Sequence, residues 1–357
     1  MATKPLPPED LSAILHHARQ SFLALRNERI FLTGGTGLFG HWLLESFLHA
    51  NRELDLRAQV TVLTRNADSF RAKSPHIAFH PAIDLLEGNV CDFAFPREPH
   101  AFVLHAATDS GGQQALRPAF ALAESILEGT RHTLRFALAT GARRLLFTST
   151  GAVYGRSAPI PLIPETFSGA PDPLLLQSSY DEAKRMAEHL CIAHAHGTSL
   201  ECVITRPFAF VGPHLPLDAH FAIGNFIAHA IAGTPIVIRG DGTPRRSFLY
   251  MADLAVWLWR MLLDAPANRA YNVGSPAGIS IADVAHLTAT VLRPGPQKGT
   301  SALPVVIART PDPDAPLSSY VPDITRASSE LGLGVTVPLE EAIRRTAAWH
   351  GFDPSRP

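Results

Sequence analysis

Short apolar runs alternate with stretches of helical spacing along the first two thirds of the chain. Ile30, Phe31 and Leu32 form one run, and residues 41–49 then carry a helical apolar stripe. Such alternation predicts a parallel sheet with helices on both faces, because each short run is buried as a strand and each helix crosses back over the sheet. The predicted strands and their exits lie at 30–32, 60–66, 87–92, 102–108, 145–155 and 201–207.

The pattern loosens after about residue 210, where Pro- and Gly-rich loops join helices and short strands such as 235–239. We therefore predict an α/β fold built on a doubly wound, seven-stranded parallel sheet, with a first domain over 28–210. A smaller C-terminal substrate-binding lobe, interleaved with it, is predicted over 211–357. The helices predicted for this lobe lie near 221–232, 252–264, 280–292 and 338–349.

The residues before the first predicted strand form an added helix over 10–26. Asp10 stands at its start and is interpreted as the capping residue. This extension, 1–27, shows no candidate chemistry. One face of the helix is apolar and is expected to pack on the core. That face consists of Leu11, Ile14, Leu15, Ala18, Phe22 and Leu23.

Glycines follow the first predicted strand at the spacing G-x-x-G-x-x-G. Gly34, Gly37 and Gly40 lie between this strand and the next predicted helix. Strand, glycine turn and helix is the arrangement that places a dinucleotide pyrophosphate at a helix N-terminus, and glycine lets the backbone approach the phosphates. A glycine pattern alone also fits an ordinary strand-to-helix turn. Together with the alternating strands, it predicts a Rossmann-type dinucleotide site.

The composition disfavours several classes of function. The 357 residues carry a net charge of −1, which does not favour nucleic acid or an anionic membrane as a partner. No apolar run reaches transmembrane length, and the first ten residues lack the apolar core of a signal peptide. His194 and His196 have the wrong spacing for one helical face, so no metal site is predicted. The cysteines lack C-x-x-C spacing, which indicates a reducing cytoplasm.

The exit of the second predicted strand favours NADP over NAD. An NAD site usually carries a carboxylate here, which binds the adenosine ribose. This chain has Thr64 followed by Arg65, and a guanidinium suits a 2′-phosphate. Two alternatives stay open: Arg65 is a solvated charge at a strand end, or Asp68 in the next turn reaches the ribose.

Tyr180 and Lys184 are four residues apart on a predicted helix and therefore face the same way. The Lys184 ammonium can favour the tyrosine phenolate by charge, so that Tyr180 serves as a general base and, when protonated, as a general acid. Thr150, at the end of a buried strand, could hydrogen-bond the same substrate oxygen. The same spacing also occurs on helix surfaces without a shared role. The position after a dinucleotide-binding half favours the catalytic interpretation.

Together these motifs resemble those of extended short-chain dehydrogenases/reductases of the NAD(P)-dependent sugar-nucleotide epimerase/dehydratase family. The resemblance runs from about residue 28 to residue 350. The motifs that carry it are Thr33–Gly40, His105–Ala107, Ser149–Gly155, Tyr180–Lys184, Arg206–Pro207, Val211–Pro213, Gly240–Tyr250 with Asp253, Tyr271–Gly274 and Leu339–Ile343.

The resemblance implies that Thr150, Tyr180 and Lys184 are the catalytic residues and that the cofactor is NADP or NAD. The positions that it and the strand-exit pattern assign to the cofactor are Gly34, Thr36, Gly37, Leu38, Phe39, Gly40, Thr64, Arg65, Asn89, Val90, Ala106, Ala107, Tyr180, Lys184 and Pro207.

The resemblance also implies a nucleotide-diphosphate sugar as substrate. Arg246 and Asn225 match residues that hold the diphosphate, and Arg309 with Asp312 matches an R-x-x-D pair near the nucleotide ribose and phosphates. The full set implied for the substrate is Asp109, Ser110, Thr150, Asn225, Arg246, Arg309 and Asp312.

Several positions depart from the family pattern. Gly151 and Ala152 stand where family 4,6-dehydratases carry Asp-Glu, and family sugar-acid decarboxylases keep a Glu at the second of these positions. Neither residue can carry a proton, so both activities are disfavoured. Ile126, Ala209 and Asn89 replace other frequent family residues, which affects local contacts and not the fold.

Redox chemistry at a sugar carbon is the activity that the resemblance implies. Tyr180 takes a hydroxyl proton, hydride goes to the nicotinamide, and hydride return to the other face of the keto-sugar gives an epimer. An epimerase is the favoured interpretation. The alternative is an NADPH-dependent reductase that makes a deoxysugar, which Arg65 favours. A non-catalytic NADP-sensing protein is disfavoured, because Thr150, Tyr180 and Lys184 are all present.

A homodimer is also expected, because the family usually dimerises through the helices that match 112–140 and 178–196. Each helix carries an apolar stripe that suits a four-helix bundle. The residues of the two stripes are Leu116, Phe120, Leu127 and Leu134 on the first helix, and Met186, Leu190 and Ala193 on the second.

Overall fold

The computed structural model describes residues 3–108, 119–155, 160–219, 221–295, 297, 302–312, 314 and 318–353. Its strands in chain order are β1 (Arg29–Thr33), β2 (Gln59–Thr64), β3 (Ile83–Glu87), β4 (Phe102–His105), β5 (Arg144–Thr148), β6 (Glu201–Pro207), β7 (Ala209–Val211), β8 (Ile236–Ile238), β9 (Arg245–Arg246), β10 (Phe248–Tyr250), β11 (Arg269–Val273), β12 (Ile279–Ser280), β13 (Val305–Ile307) and β14 (Ser319–Tyr320).

Helices flank these strands on both sides, and no described helix is long and apolar enough to cross a membrane. They are α1 (Pro8–Phe22), α2 (Leu38–Glu53), α3 (Ala67–Lys73), α4 (Pro75–Ala78), α5 (Ala119–Ala139), α6 (Ser179–Ala195), α7 (Ala222–Ala232), α8 (Met251–Asp264), α9 (Ile281–Leu292), α10 (Thr325–Leu331) and α11 (Leu339–Trp349).

Seven parallel strands form the central sheet in the order β11-β6-β5-β4-β1-β2-β3. This confirms the predicted doubly wound α/β fold. The chain runs outward from β1 to β3 and then returns to β4 on the other side of β1. The strand order therefore reverses between β1 and β4, and ligands bind at such a switch point beyond the carboxyl ends of the strands.

The side chains of β1 alternate between two cores. Ile30 and Leu32 lie in the larger apolar cluster, where α1, α2 and α8 pack on one another. Phe31 points to the opposite face and lies in the cluster formed with α5 and α6. Because both faces of a central strand are covered, the three middle residues of β1 are all apolar, which is the pattern that the sequence shows.

The N-terminal helix packs on the core as predicted, but its predicted cap is wrong. Pro7 is the N-cap residue of α1, and the structure shows no side-chain capping bond there. Asp10 is fully buried inside the first turn. It accepts hydrogen bonds from the Tyr250 hydroxyl at 2.6 Å and from Arg345 Nη1 at 2.8 Å. Asp10 therefore joins α1 to β10 and α11 and does not cap its own helix.

The C-terminal part contains the helices predicted for it, and α7, α8, α9 and α11 each begin within one residue of the predicted start. Strand β9 lies between β12 and β14 in a small sheet. Strand β11 comes from this part of the chain but supplies the edge of the central sheet, so the two predicted regions share one sheet. The boundaries of the predicted domains remain a prediction.

Helices α5 and α6 pack against each other, but the predicted apolar stripe on α5 is partly wrong. Leu134 is fully buried in the protein's own core and cannot face a partner. Phe120 and Met186 remain 66% and 52% exposed and form the apolar part of the outer face. Leu116 lies outside the described residues.

Candidate active site

The turn between β1 and α2 lies at the switch point and depends on two glycines. Gly34 has φ +76°, and a Cβ there would lie 2.5 Å from the backbone carbonyl of Ala106. A Cβ on Gly40 would lie 2.2 Å from the Gly35 carbonyl oxygen. Any side chain at these positions would separate the turn from β4 or from the start of α2.

The first residues of α2 face an accessible space at this turn. Thr36 and Gly37 are exposed, and Leu38 and Phe39 are half-buried. The first N–H groups of a helix have no partner within the helix, and they carry the positive end of its dipole. The chain therefore offers a dinucleotide pyrophosphate both backbone donors and close approach, and the residues present fit the cofactor.

A buried row of hydrogen bonds joins the ends of β1 and β4 to α5, next to the turn between β1 and α2. Thr33 Oγ1 accepts from the Ala107 N–H at 3.0 Å and lies 2.8 Å from His105 Nδ1, while His105 Nε2 lies 3.1 Å from Thr130 Oγ1. Burial lowers the pKa of His105 to about 3, so its ring is neutral and carries one N–H. The row is satisfied when Thr33 donates to Nδ1 and Nε2–H donates to Thr130. It holds Ala107 next to the predicted cofactor turn.

The exit of β2 carries the residues predicted to choose between NADP and NAD. Thr64 is buried, and its hydroxyl accepts the Asn66 N–H at 3.3 Å. Arg65 is exposed at the strand end. Asp68, the alternative ribose ligand, lies in α3 and accepts a hydrogen bond from Arg71 through one carboxylate oxygen at 2.9 Å.

Asn89 and Val90 shape the exit of β3. The Asn89 side chain accepts the Cys91 N–H at 3.1 Å and holds the turn. Val90 packs on α5 so closely that a Cβ on Gly129 would lie 2.8 Å from its Cγ1. Pro207 ends β6 and is buried. These positions fit cofactor contacts at the carboxyl edge of the sheet.

Lys184 is buried one helical turn beyond Tyr180 on α6. Its Nζ donates to the Thr148 carbonyl at 2.8 Å and lies 4.7 Å from the centre of the Phe147 ring. Burial lowers the pKa of Lys184 to about 7. The Lys184 side chain is therefore fully protonated, and carries its full positive charge, only below neutral pH in the protein without ligand.

Thr150 and Tyr180 meet at the end of β5 together with a residue that the sequence analysis missed. Thr150 opens the turn 151–154, and its Oγ1 accepts the Ala152 N–H at 3.2 Å. Tyr320, on β14, brings its hydroxyl beside the same turn, 2.8 Å from where a Cβ on Gly151 would lie. No motif surrounds Tyr320 in the sequence, so no signal singled it out.

The space beside Gly151 is closed. A Cβ at this position would lie 2.7 Å from Phe208 Cε2 and 2.8 Å from the Tyr320 hydroxyl. The ring centroids of Phe208 and Tyr320 are 4.5 Å apart. The site therefore lacks a carboxylate at 151 and also lacks the room for one.

The residues predicted to bind the substrate fall into three groups. Arg246 lies on β9 with its guanidinium 5.7 Å from the centre of the Tyr320 ring, whose hydroxyl lies beside Gly151. Asn225 is half-buried in the first turn of α7. Arg309 and Asp312 are exposed beyond β13. Asp109 and Ser110 lie outside the described residues.

A buried charge pair that the sequence analysis did not identify supports the site. Arg206 donates to both carboxylate oxygens of Glu188, at 2.9 Å and 2.6 Å, and to the Tyr154 hydroxyl at 2.7 Å. Tyr154 donates in turn to Asn272 Oδ1 at 2.8 Å. The Asn272 amide donates to the carbonyls of Ile163 and Asp323. The network joins β6, α6, β11 and the turn that carries Thr150.

Known proteins resemble this chain over most of its length. UDP-glucuronic acid decarboxylase 5 of Arabidopsis thaliana is 28% identical over 344 residues, which cover 96% of this chain and 93% of that protein. An epimerase from Methanothermobacter thermautotrophicus matches with a TM-score of 0.75 at 22% identity, over 94% of this chain and 95% of the other. UDP-glucose 4-epimerase from Thermotoga maritima matches with a TM-score of 0.72 at 21% identity, over 90% and 98%. These two structures support the fold.

The family model of the NAD dependent epimerase/dehydratase family matches residues 30–274. This range begins at β1, ends just after β11, and contains the glycine turn together with Thr150, Tyr180 and Lys184. The match spans more than half of the chain, and it agrees with the switch-point geometry. The chain belongs to the NAD dependent epimerase/dehydratase family.

Proposed function

We propose that the protein is a nucleotide-diphosphate-sugar epimerase that works through a transient keto-sugar. One observation carries the proposal. Thr150, Tyr180 and Lys184 lie together at the carboxyl edge of the sheet, while the adjacent space at Gly151 is closed to a carboxylate. Such a site can oxidise and reduce a sugar carbon but has no acid at 151 or 152 to expel a leaving group.

The chemistry assigned to the chain is a proton transfer at one sugar hydroxyl. Tyr180 takes the hydroxyl proton and returns it after the hydride has come back to the other face. Thr150 hydrogen-bonds the same oxygen, and Lys184 favours the phenolate by its charge. The bound nicotinamide supplies the hydride acceptor. Arg246 holds the diphosphate so that the sugar lies beside Thr150.

The relatives named as decarboxylases do not change this assignment. The sequence pattern places Ala152 where a decarboxylase of this family keeps a glutamate, and an alanine side chain can neither hold nor move a proton. Position 151 cannot supply the missing acid either, because Phe208 and Tyr320 fill the space that a carboxylate side chain there would need. An epimerase or a reductase needs neither group.

The experiment that tests the proposal identifies both cofactor and product. The purified protein is denatured and the released nucleotide is identified. The native protein is then incubated with UDP-glucose, dTDP-glucose and UDP-glucuronic acid, and the sugar products are separated. Bound oxidised cofactor and an epimeric sugar without net cofactor turnover are expected. Release of carbon dioxide or of a 4-keto-6-deoxy sugar would contradict the proposal.

A reductase is the second candidate, and Arg65 is the observation that favours it. The Arg65 guanidinium follows Thr64 at the exit of β2. Neither Thr64 nor Arg65 carries a carboxylate that would repel a 2′-phosphate. The carboxylate of Asp68 is paired with Arg71. NADPH favours net reduction. Net consumption of NADPH with a keto-sugar nucleotide would select this candidate over the epimerase.

NADP should bind more tightly than NAD in either case. A charge-assisted hydrogen bond contributes roughly 1.5–3 kcal/mol, so a preference on the order of ten- to a hundredfold is expected. Titration calorimetry of the wild type and of Arg65→Ala with both nucleotides measures it. Arg52→Ala is the control, because it removes a guanidinium that is paired with Glu53 at the end of α2 far from the glycine turn. Tighter binding of NAD by the wild type, or unchanged NADP affinity in Arg65→Ala, contradicts the preference.

We also propose that the protein is a homodimer that joins through the outer face of α5 and α6. Phe120 and Met186 are large apolar side chains exposed on these helices. Sedimentation at micromolar concentration should give a dimer, and the double variant Phe120→Glu/Met186→Glu should give a folded monomer. Phe79→Glu, at an equally exposed phenylalanine outside α5 and α6, should remain dimeric. A monomeric wild type would refute the proposed interface.

The cytoplasm is the proposed location of the reaction. Cys91, Cys191 and Cys202 are free thiols in the structure, and two of them are buried. Free thiols are typical of a reducing compartment.

A further inference from the structure

The side chain of His41 lies directly behind the turn between β1 and α2. His41 is the fourth residue of α2, and it is only 7% exposed. Its Nδ1 lies 2.9 Å from the carbonyl oxygen of Gly37, the N-cap residue of the same helix, and its Nε2 lies 2.7 Å from Ser74 Oγ. The ring of His214 packs on the His41 ring at a centroid distance of 4.6 Å. The imidazole is therefore held at both nitrogens and on one face.

The directions of these hydrogen bonds follow from the Gly37 carbonyl, which can only accept. Burial lowers the pKa of His41 to about 4, so the ring is neutral at pH 7 and carries one N–H. That N–H is at Nδ1, which donates to Gly37, and Nε2 accepts the hydrogen of the Ser74 hydroxyl. Ser74 is fully buried, and its Oγ lies 2.9 Å from Thr3 Oγ1. The N-terminal extension therefore contacts the residue that anchors the ring.

The bond to Gly37 sets the direction of the first donor of α2. The Gly37 carbonyl accepts from the His41 side chain and also from the His41 backbone N–H, at 3.0 Å. A peptide unit is planar and trans, so its C=O and its N–H point in opposite directions. While the Gly37 oxygen is held toward His41, the Leu38 N–H points out of the helix N-terminus, where the helix itself supplies no acceptor.

We propose that His41 is a positioning residue for the cofactor pyrophosphate, because it holds the peptide between Gly37 and Leu38 with its N–H directed at the phosphate. This inference rests on the proposed function only in assuming that NAD or NADP binds at this turn, and it does not depend on the reaction that follows. The glycines let the backbone approach the phosphates, while His41 keeps this peptide from rotating.

Three variants at position 41 separate the two nitrogens of the ring. The amide nitrogen of Asn is as many bonds from Cβ as Nδ1 of His, and that of Gln is as many as Nε2. His41→Asn can therefore still donate to Gly37, whereas His41→Gln and His41→Leu cannot. Titration calorimetry with NAD, NADP and ADP-ribose measures the affinities, after charcoal treatment has removed any nucleotide that co-purifies.

Binding of all three nucleotides should be about three- to tenfold weaker in His41→Gln and His41→Leu, which is the effect of one hydrogen bond. His41→Asn should stay within about twofold of the wild type. ADP-ribose contains the pyrophosphate without the nicotinamide, so an equal loss for ADP-ribose and NAD assigns the effect to the pyrophosphate half. If His41→Leu does not fold, the comparison of His41→Asn with His41→Gln still decides the result.

His100→Leu is the matched control. His100 is also buried, and its Nε2 lies 2.9 Å from Thr61 Oγ1. It lies at the opposite edge of the sheet, where the next residue, Ala101, donates to the carbonyl of Arg29 at the start of β1. This variant should lower the unfolding midpoint and leave the three affinities unchanged.

Two results would overturn the role of His41. One is an unchanged affinity in both His41→Gln and His41→Leu. The other is an equal loss in His41→Asn and His41→Gln, which would mean that the ring acts only through packing. If the wild type binds neither NAD nor NADP, the cofactor assignment of the proposed function fails and the role of His41 fails with it. Binding by the wild type therefore separates the two failures.

Discussion

Tyr180→Phe should lower kcat by about 10²–10⁴-fold, because a positioned general acid–base group typically contributes that much to a proton transfer. The change removes only the hydroxyl of a half-buried side chain in the first turn of α6, so the fold should persist. The measurement is the turnover of the nucleotide sugar that the wild type converts, together with the affinity for NAD and NADP. Cofactor affinity should change far less than kcat.

Tyr271→Phe is the control for this prediction. It also removes one tyrosine hydroxyl, which donates to Glu330 at 2.6 Å, and Glu330 is not part of the candidate site. Turnover of this variant should stay near that of the wild type. A folded, cofactor-binding Tyr180→Phe protein with wild-type turnover would mean that another group moves the proton.

Arg206→Met should destabilise the fold by about 3–5 kcal/mol, because it leaves the Glu188 carboxylate buried without its partner. The Arg206 and Glu188 side chains are only 16% and 8% exposed, so the pair is largely removed from water. The loss also releases the Tyr154 hydroxyl and, through it, the turn that carries Thr150. The free energy of unfolding in urea measures the effect.

The double variant Arg206→Met/Glu188→Met should lose less stability than Arg206→Met, since removing both charges removes the unpaired one. Arg344→Met is a surface control. Arg344 pairs with Glu341 on α11 with side chains 55% and 38% exposed, so its loss should cost about 1 kcal/mol or less. A single Arg206 variant no less stable than the double one would refute the interpretation.

The central sheet was predictable because its strands are buried on both faces. Ile30, Phe31 and Leu32 point to two different cores, and each core requires an apolar residue. The helix positions of the C-terminal part followed from helical spacing in the same way. The glycine turn and the Tyr180–Lys184 pair were also recognisable, because each lies within one short stretch of sequence.

The remaining features depend on contacts between distant parts of the chain. Aspartate is a residue type that often caps helices, but the partners of Asp10, Tyr250 and Arg345, lie 240 and 335 residues away in the sequence. An apolar stripe cannot tell the protein's own core from a second subunit, which is why Leu134 was assigned to the wrong surface. Tyr320 reaches the turn at Gly151 from a strand of two residues that has no periodic pattern.

The partners of α1 also determine when this helix can become stable during synthesis. Its buried side chains pack on α8, where the Phe22 and Trp259 rings are 5.3 Å apart, and Ser21 bonds Asp264 at 2.7 Å. Helix α1 therefore leaves the ribosome before these partners, which emerge about 240 residues later. Domains fold as units, and non-local contacts form slowly. Until α8 and α11 have emerged, the part of the apolar face of α1 that packs on α8 stays exposed, so a nascent chain that stalls before them should be prone to aggregation.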